Sequence, residues 1–175
     1  SVSVRSQMVS DVPIGAFLSG GVDSSAVVGL MARHSEQPIN TYAIGFDGGE
    51  AEALYNELPY ARRVAGIFGT QHREIMVRPD VVSLLPKLLW HMDEPLSDTA
   101  FITTFLISEF ARQDVKVILS GVGGDELFGG YRRYLGEHYA LQYGRLPAWL
   151  RSSCAAISKQ LPTDRHSGFL NSMRL

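Results

Sequence analysis

Three serines, two adjacent glycines and one aspartate stand together in Ser19-Gly20-Gly21-Val22-Asp23-Ser24-Ser25. Hydroxyls and the amides of a glycine-rich turn are groups that hold phosphate oxygens, and free N–H groups at a helix start add to them. Asp23 repels phosphate unless a cation lies between, so the stretch points to a phosphate site with a divalent metal such as Mg2+. The competing reading is a tight strand–helix turn capped by Asp23. A turn of that kind needs one glycine and one cap, and this stretch has more of both. The loop is not G-x-x-x-x-G-K-[ST], since no Lys follows the glycines, and it is not G-x-G-x-x-G. A cradle that lacks the Lys and keeps a metal-binding carboxylate suits pyrophosphate held as a leaving group better than γ-phosphate transfer.

A second glycine-rich turn, Ser120-Gly121-Val122-Gly123-Gly124-Asp125-Glu126-Leu127-Phe128-Gly129-Gly130-Tyr131, also ends in acidic residues. Asp23 and Asp125 each follow an apolar strand pattern. Two carboxylates at one sheet edge suit a Mg2+ that bridges phosphate oxygens. Against this, Asp125 would simply cap a helix starting near Glu126.

The elements that must position these turns are legible from periodicity. Strands are expected over about Ile14–Leu18, Ile39–Phe46, His72–Val77 and Val115–Leu119. Helices are expected over Ser1–Ser10, Asp23–Arg33, Glu57–Phe68 (stopped by Gly69), Val81–Met92 (split or kinked at Pro86) and Thr99–Arg112, with a helical pattern from Tyr131 to Leu150. Asp47-Gly48-Gly49-Glu50 reads as a loop, and Arg151–Leu175 is weakly patterned and polar. Strands alternating with helices imply an α/β fold, a doubly wound parallel sheet with helices on both faces. Such sheets bind ligands at the carboxyl ends of their strands, near a topological switch point, and both glycine-rich turns belong on that edge.

Composition bounds the rest. The chain has 175 residues, enough for one domain with a full core. A formal net charge of -2 marks no nucleic-acid surface. The single cysteine, Cys154, has no internal partner, which favours a reducing compartment, and the cytoplasm is expected. No apolar run reaches the ~18 residues of a membrane span. The absence of an initiator Met leads us to expect a chain that begins inside a longer protein.

The first loop resembles the pyrophosphate-binding loop of the N-type ATP pyrophosphatases, which include asparagine, GMP, NAD and argininosuccinate synthetases. The second turn with its preceding Leu119 narrows this, as do Val9-Ser10-Asp11-Val12-Pro13-Ile14-Gly15, Tyr42-Ala43-Ile44-Gly45-Phe46 and Met92-Asp93-Glu94-Pro95. Together they resemble the C-terminal synthetase domain of glutamine-dependent asparagine synthetases and their amidotransferase relatives, over Ser1 to Tyr139. The resemblance implies an adenine-nucleotide alpha-hydrolase-like fold and ATP-dependent amide formation. A small-molecule carboxylate, aspartate or an analogue, would be activated as an acyl-adenylate with loss of Mg2+-pyrophosphate, and ammonia would then displace AMP. Carried over, Ser19, Gly20, Gly21, Asp23, Ser24 and Ser25 would hold pyrophosphate, and Asp23 and Asp125 would bind Mg2+. Leu18 and Ile44 would contact adenosine, with Ser120 and Gly121 also against the nucleotide.

Three departures accompany the resemblance. Val122 stands where asparagine synthetases of the best-known type carry a Glu that handles the amino-acid substrate. Ser1 replaces the nucleophilic N-terminal Cys of a glutaminase half, so ammonia would come from a glutaminase domain missing here. The catalytic Lys of the family is expected downstream of the chain, since nothing around Lys159 matches its motif. The expected organisation is therefore a synthetase domain over residues 1–150, an incomplete C-terminal part of it over 151–175, and no N-terminal glutaminase domain. No nucleic-acid or membrane partner is expected, and a homodimer is allowed for. The rival from another class is a non-catalytic nucleotide-binding or interaction domain with the same fold.

Weaker candidates complete the reading. Asp93, Glu94 and Asp98 form an acidic turn that is either a substrate contact or an exposed loop and helix cap. Glu57 reads as a solvated helix start, with a place near the nucleotide loop as the alternative. His72 opens strand three and has a lesser claim to the ligand edge. The five histidines lack metal-ligand spacing. Arg132 and Arg133 read as solvated, Cys154 as a bystander, and Tyr131, Tyr134, Tyr139 and Tyr143 as helix packing.

Overall fold

The structure, a computed structural model, describes residues 1–47, 56–78, 80–94, 98 and 100–158. They divide into two compact units, the first being Ser1–Val122 and the second starting at Gly123. The first holds α1 (Val2–Gln7), β1 (Ile14–Phe17), α2 (Val22–His34), β2 (Asn40–Phe46), α3 (Leu58–Phe68), β3 (Gln71–Val77), α4 (Val81–Met92), α5 (Ala100–Ala111) and β4 (Val117–Leu119). The second holds three helices, α6 (Gly124–Phe128), α7 (Arg132–Gly144) and α8 (Ala148–Ser158).

The four strands form one parallel sheet in the order β3-β2-β1-β4. The chain adds β2 and β3 on one side of β1 and then returns to add β4 on the other. The switch point therefore lies between β1 and β4, where the carboxyl ends of adjacent strands diverge. Each strand alternates its side chains between two apolar layers. Ala16 of β1, Leu18 just after it, Ala43 of β2 and Leu119 of β4 face a core made with Val28 and Met31 of α2 and Leu58, Ala61 and Ala65 of α3. Phe17, Tyr42, Ile44 and Ile118 face the other layer, with Ile107 and Ala111 of α5. Helices on both faces explain the near-continuous apolar character of β1 and β2. Each large side chain hidden this way is worth about 1.5–3 kcal/mol.

Local signals account for the helix ends. Asn56 Oδ1 accepts from the Leu58 amide at 3.1 Å, and Gly69 closes α3 in the left-handed region at φ 62°. Asp80 caps α4, accepting from the Ser83 amide at 3.2 Å and from its hydroxyl at 2.6 Å. Pro86 sits inside α4, which runs as one helix from Val81 to Met92, so the expected split does not occur. Having no N–H, Pro86 gives up the helical bond to the Val82 carbonyl without ending the helix.

The pattern from Tyr131 to Leu150 resolves into α7 and α8, separated around Pro147, whose carbonyl accepts from the Leu150 and Arg151 amides. Helix α8 continues through Ser158, well into the stretch read as weakly patterned. Its serines bond back to their own helix, Ser152 to the Ala148 carbonyl and Ser153 to that of Trp149. The Gly48–Glu50 part of the expected loop, Lys159 and His166 lie outside the described residues. Among the described residues no helix is long and apolar enough to cross a membrane.

Among the described residues Tyr42 is the largest fully buried side chain. Its hydroxyl donates to Asp114 at 3.2 Å, and the Arg73 guanidinium also donates to Asp114. Burial, and then the Asp114 charge, push the Tyr42 phenol up to about 12. The folded state thus favours the neutral phenol, a contribution fully present below pH ~10 and lost as pH rises through the folded value. We expect Tyr42→Phe to flatten the loss of stability between about pH 10 and 12, where the wild type loses up to ~1.4 kcal/mol per pH unit. Urea unfolding across that range, followed by circular dichroism, measures it.

Candidate functional site

The turn after β1 is held by its own hydroxyls. Ser19 Oγ and Ser24 Oγ lie 2.9 Å apart, Ser24 Oγ donates to the Gly21 carbonyl at 3.2 Å, and the Gly21 amide donates to Ser19 Oγ at 3.2 Å. The two glycines have different reasons to be there. Gly20 has φ +84°, and a Cβ on it would lie 2.5 Å from backbone and side-chain carbons of Tyr60. The first turn of α3 is pressed against the loop at that point, so Gly20 is fixed by the fold. Gly21 is the N-cap of α2 in an extended conformation, and a Cβ there would meet only Ser19 Oγ, at 3.3 Å. The space over Gly21 is open.

Asp23 stands in the first turn of α2, half-buried, beside the free amides of the helix start. Ser24 is buried at 9% exposure. Ser25 Oγ is enclosed and makes no hydrogen bond. Leu18 is 1% exposed; its amide donates to the Tyr42 carbonyl at 2.8 Å and its side chain belongs to the core. Ile44 is half-buried on β2.

The turn after β4 approaches the start of α2 closely. A Cβ on Gly121 would fall 2.6 Å from the Ser24 amide nitrogen and 2.9 Å from the Asp23 carbonyl carbon. Ser120 and Gly121 are thereby brought together with Asp23 and Ser24 at the switch point. Val122, at 91% exposure, projects from the end of this unit.

A cavity of about 200 Å³ opens beside the loop, lined by Leu18, Ser19 and Ile44 among others. Phe17, Tyr42 and Ile107 give it an apolar floor, while Glu57, Thr103 and Thr104 add polar groups. Glu57 is exposed at its outer edge, yet the surrounding walls desolvate its carboxyl and push it above the usual carboxylate range. The two sequence readings of Glu57 are both met: it is an exposed residue at the start of α3, and it lines the cavity together with Ser19. Thr103 and Thr104 escaped notice. Their only signal was a hydroxyl pair in a largely apolar helix.

In the second unit, Asp125 lies in the first turn of α6, half-buried. The helix starts at Gly124 with Gly123 as its N-cap, so the reading of Asp125 as a cap does not hold. Its carboxylate rests over Gly130, where a Cβ would collide with Oδ1. Glu126 accepts from the Tyr131 hydroxyl at 2.6 Å, which holds its carboxyl below the usual range. Arg133 lies over the Tyr131 ring at 4.3 Å.

Of the weaker candidates, His72 falls away from the loop edge. His72 bonds Thr41 Oγ1 at 3.0 Å and Glu74 at 3.1 Å near the amino ends of β2 and β3, the opposite side of a parallel sheet. Arg62 forks onto Glu74. Asp98 accepts from the Ala100 amide at 2.9 Å at the start of α5, which supports the cap reading; Asp93 and Glu94 are exposed, and Pro95 to Ser97 lie outside the described residues. Cys154 is exposed on α8. Among the described residues no three His, Cys, Asp or Glu side chains gather in a metal-binding group.

We expect Gly20→Ala to lower the unfolding free energy by about 2–4 kcal/mol, through a positive φ and backbone overlap with Tyr60. Gly21→Ala is expected to stay within ~1 kcal/mol of the wild type. Urea denaturation of the two variants side by side measures the contrast.

Comparison with known proteins extends these findings. Residues 1–174 match the family model described as asparagine synthase. The chain is 41% identical over 165 residues to a Methanocaldococcus jannaschii protein provisionally named asparagine synthetase [glutamine-hydrolyzing] 2, covering 93% of this chain and 30% of that one. It is 35% identical over 161 residues to asparagine synthetase [glutamine-hydrolyzing] 1 of Bacillus subtilis, covering 91% of this chain and 25% of that one. The chain thus spans less than a third of the length of these curated relatives. Among solved structures, an NH3-dependent NAD synthetase from Campylobacter jejuni is similar with 17% identity and a TM-score of 0.48, over 74% of this chain and 56% of that chain.

Proposed function

The chain belongs to the asparagine synthase family, and on that premise we propose that it is the ATP-using part of an amide-forming ligase. The observation that carries this reading is the junction at the switch point. The serine–glycine turn after β1 and the Ser120–Gly121 turn after β4 meet there, beside a cavity that the end of β2 also lines.

In this reading Ser19, Gly20, Gly21, Asp23, Ser24 and Ser25 form the cradle for pyrophosphate. The open space over Gly21 and the α2 amides support that role. The enclosed Ser25 hydroxyl would act only after a local shift. Leu18, Ile44, Ser120 and Gly121 contact the adenosine side, Leu18 through its backbone because its side chain is committed to the core. The substrate carboxylate attacks the α-phosphate of ATP, an acyl-adenylate forms, and ammonia displaces AMP to give the amide. In the whole protein the ammonia derives from glutamine hydrolysed in another domain.

The carboxylates of Asp23 and Asp125 are hard oxygen donors of the kind Mg2+ takes, one or two at a time, together with phosphate oxygens. These two residues would hold the ion, which when bound neutralises charge on the leaving pyrophosphate. The assignment of Asp125 rests on the sequence. Val122 offers no hydrogen bond where the asparagine synthetase pattern has Glu, which favours an acid other than aspartate.

The test is pyrophosphate release from ATP and Mg2+ with ammonia and a panel of carboxylic acids, alongside calorimetric ATP binding. We expect release with at least one acid in the full-length protein, and at least tenfold weaker Mg2+-dependent ATP binding in Asp23→Ala. Absence of ATP and AMP binding with Mg2+ present would overturn the site assignment; binding without release under any acid would favour the non-catalytic alternative.

A further inference from the structure

Among the described residues, the cavity beside the first loop has one carboxylate in its lining, Glu57, and the reaction outlined above does not use it. Its backbone position is firmly set. The Glu57 carbonyl accepts from the Tyr60 and Ala61 amides, both at 3.0 Å, and the Tyr60–Ala61 backbone is the surface against which Gly20 is pressed. Glu57 is thus anchored to the loop through one turn of α3. Its side chain makes no capping bond to its own helix, which leaves the carboxyl free to serve the cavity.

The cavity's other walls divide its chemistry. Phe17, Tyr42 and Ile107 present flat or branched apolar surface suited to a base, and Ser19 marks the phosphate end. A group between base and phosphates in a nucleotide is the sugar, whose adjacent hydroxyls are two donors. A carboxyl is the matching acceptor, and it keeps an acceptor oxygen in either protonation state.

We propose that Glu57 is the ribose-recognition residue of this site, accepting hydrogen bonds from the sugar hydroxyls and so setting a preference for ribonucleotides over deoxyribonucleotides. The proposal rests on the nucleotide-binding reading above.

Calorimetry on the full chain with Mg2+ separates the two. ATP and 2′-deoxy-ATP are titrated into wild type, Glu57→Ala and Glu57→Gln. We expect the wild type to prefer ATP by about tenfold, the effect of one good hydrogen bond to a charged group. The preference should vanish in Glu57→Ala through weaker ATP binding, with 2′-deoxy-ATP affinity nearly unchanged, and be partly retained in Glu57→Gln, which keeps an acceptor. If Glu57→Ala does not fold by circular dichroism, Glu57→Gln alone decides, because loss of the carboxylate should still reduce the preference. Equal binding of the two nucleotides by wild type, or a preference unmoved in the folded variants, overturns the ribose assignment and leaves nucleotide binding intact. Failure of the wild type to bind either nucleotide overturns both.

Discussion

Residue 121 has no room for a side chain, and much of the molecule follows from that. The Ser24 amide nitrogen lies 2.6 Å from where a Cβ would stand, too close for one. Backbone therefore meets backbone where the turn leaving β4 passes the start of α2. Such an approach needs β1 and β4 to be hydrogen-bonded neighbours in parallel register, as Gly15 opposite Ile118 and Ala16 opposite Leu119 are. It also needs α2 to leave β1 at once, without a long connection. The glycine at position 20 supplies that sharp exit, and α3 bears on it from the other side. A small set of steric conditions thus assembles polar groups from elements distant in the chain.

The two apolar layers supply the rigidity that this junction requires. One is built from α2 and α3, the other from α5, and they meet the sheet on opposite faces. Tyr42 belongs to the second layer but carries a polar end. Its ring stands edge-on to Phe110, with centroids 6.0 Å apart, and its hydroxyl reaches Asp114 just before β4. Arg73 on β3 binds the same carboxylate, which its guanidinium holds below the usual range. A single aspartate therefore ties the outer strand β3 and the approach to β4 to the central strand β2.

The sheet was legible because apolar runs of strand length alternated with helical spacing, and β1, β2 and β3 fall within a residue of where the sequence placed them. Strand β4 is shorter than expected because Val115 and Lys116 are used otherwise, Val115 bonding back to Ala111 and Lys116 to Pro13. The serine–glycine loop was legible because its residue types are unusual for a plain turn. The distinct reasons for its two glycines were not, since the neighbour that excludes a side chain at Gly20 comes from α3. The second role of Glu57, as part of the cavity lining, was hidden for the same cause. A glutamate at a helix start looks like a solvated residue until the first turn of that helix is seen to lean on a loop some forty positions earlier. Helix α8 was missed because serines lower helix propensity, and their bonds to the preceding turn show only in three dimensions.

The strand order has a bearing on how the molecule comes into being. β1, β2 and β3 succeed one another in the chain and lie side by side in that order, whereas β4 must cross back to pair with the first of them. That pairing closes the longest loop in the sheet, the kind of contact that is slowest to form. A chain with only its first three strands in place would already have the serine–glycine turn, yet Gly121 would not be seated on it. The junction is complete only when the last strand is home, so a nascent or partly unfolded molecule carries half of it.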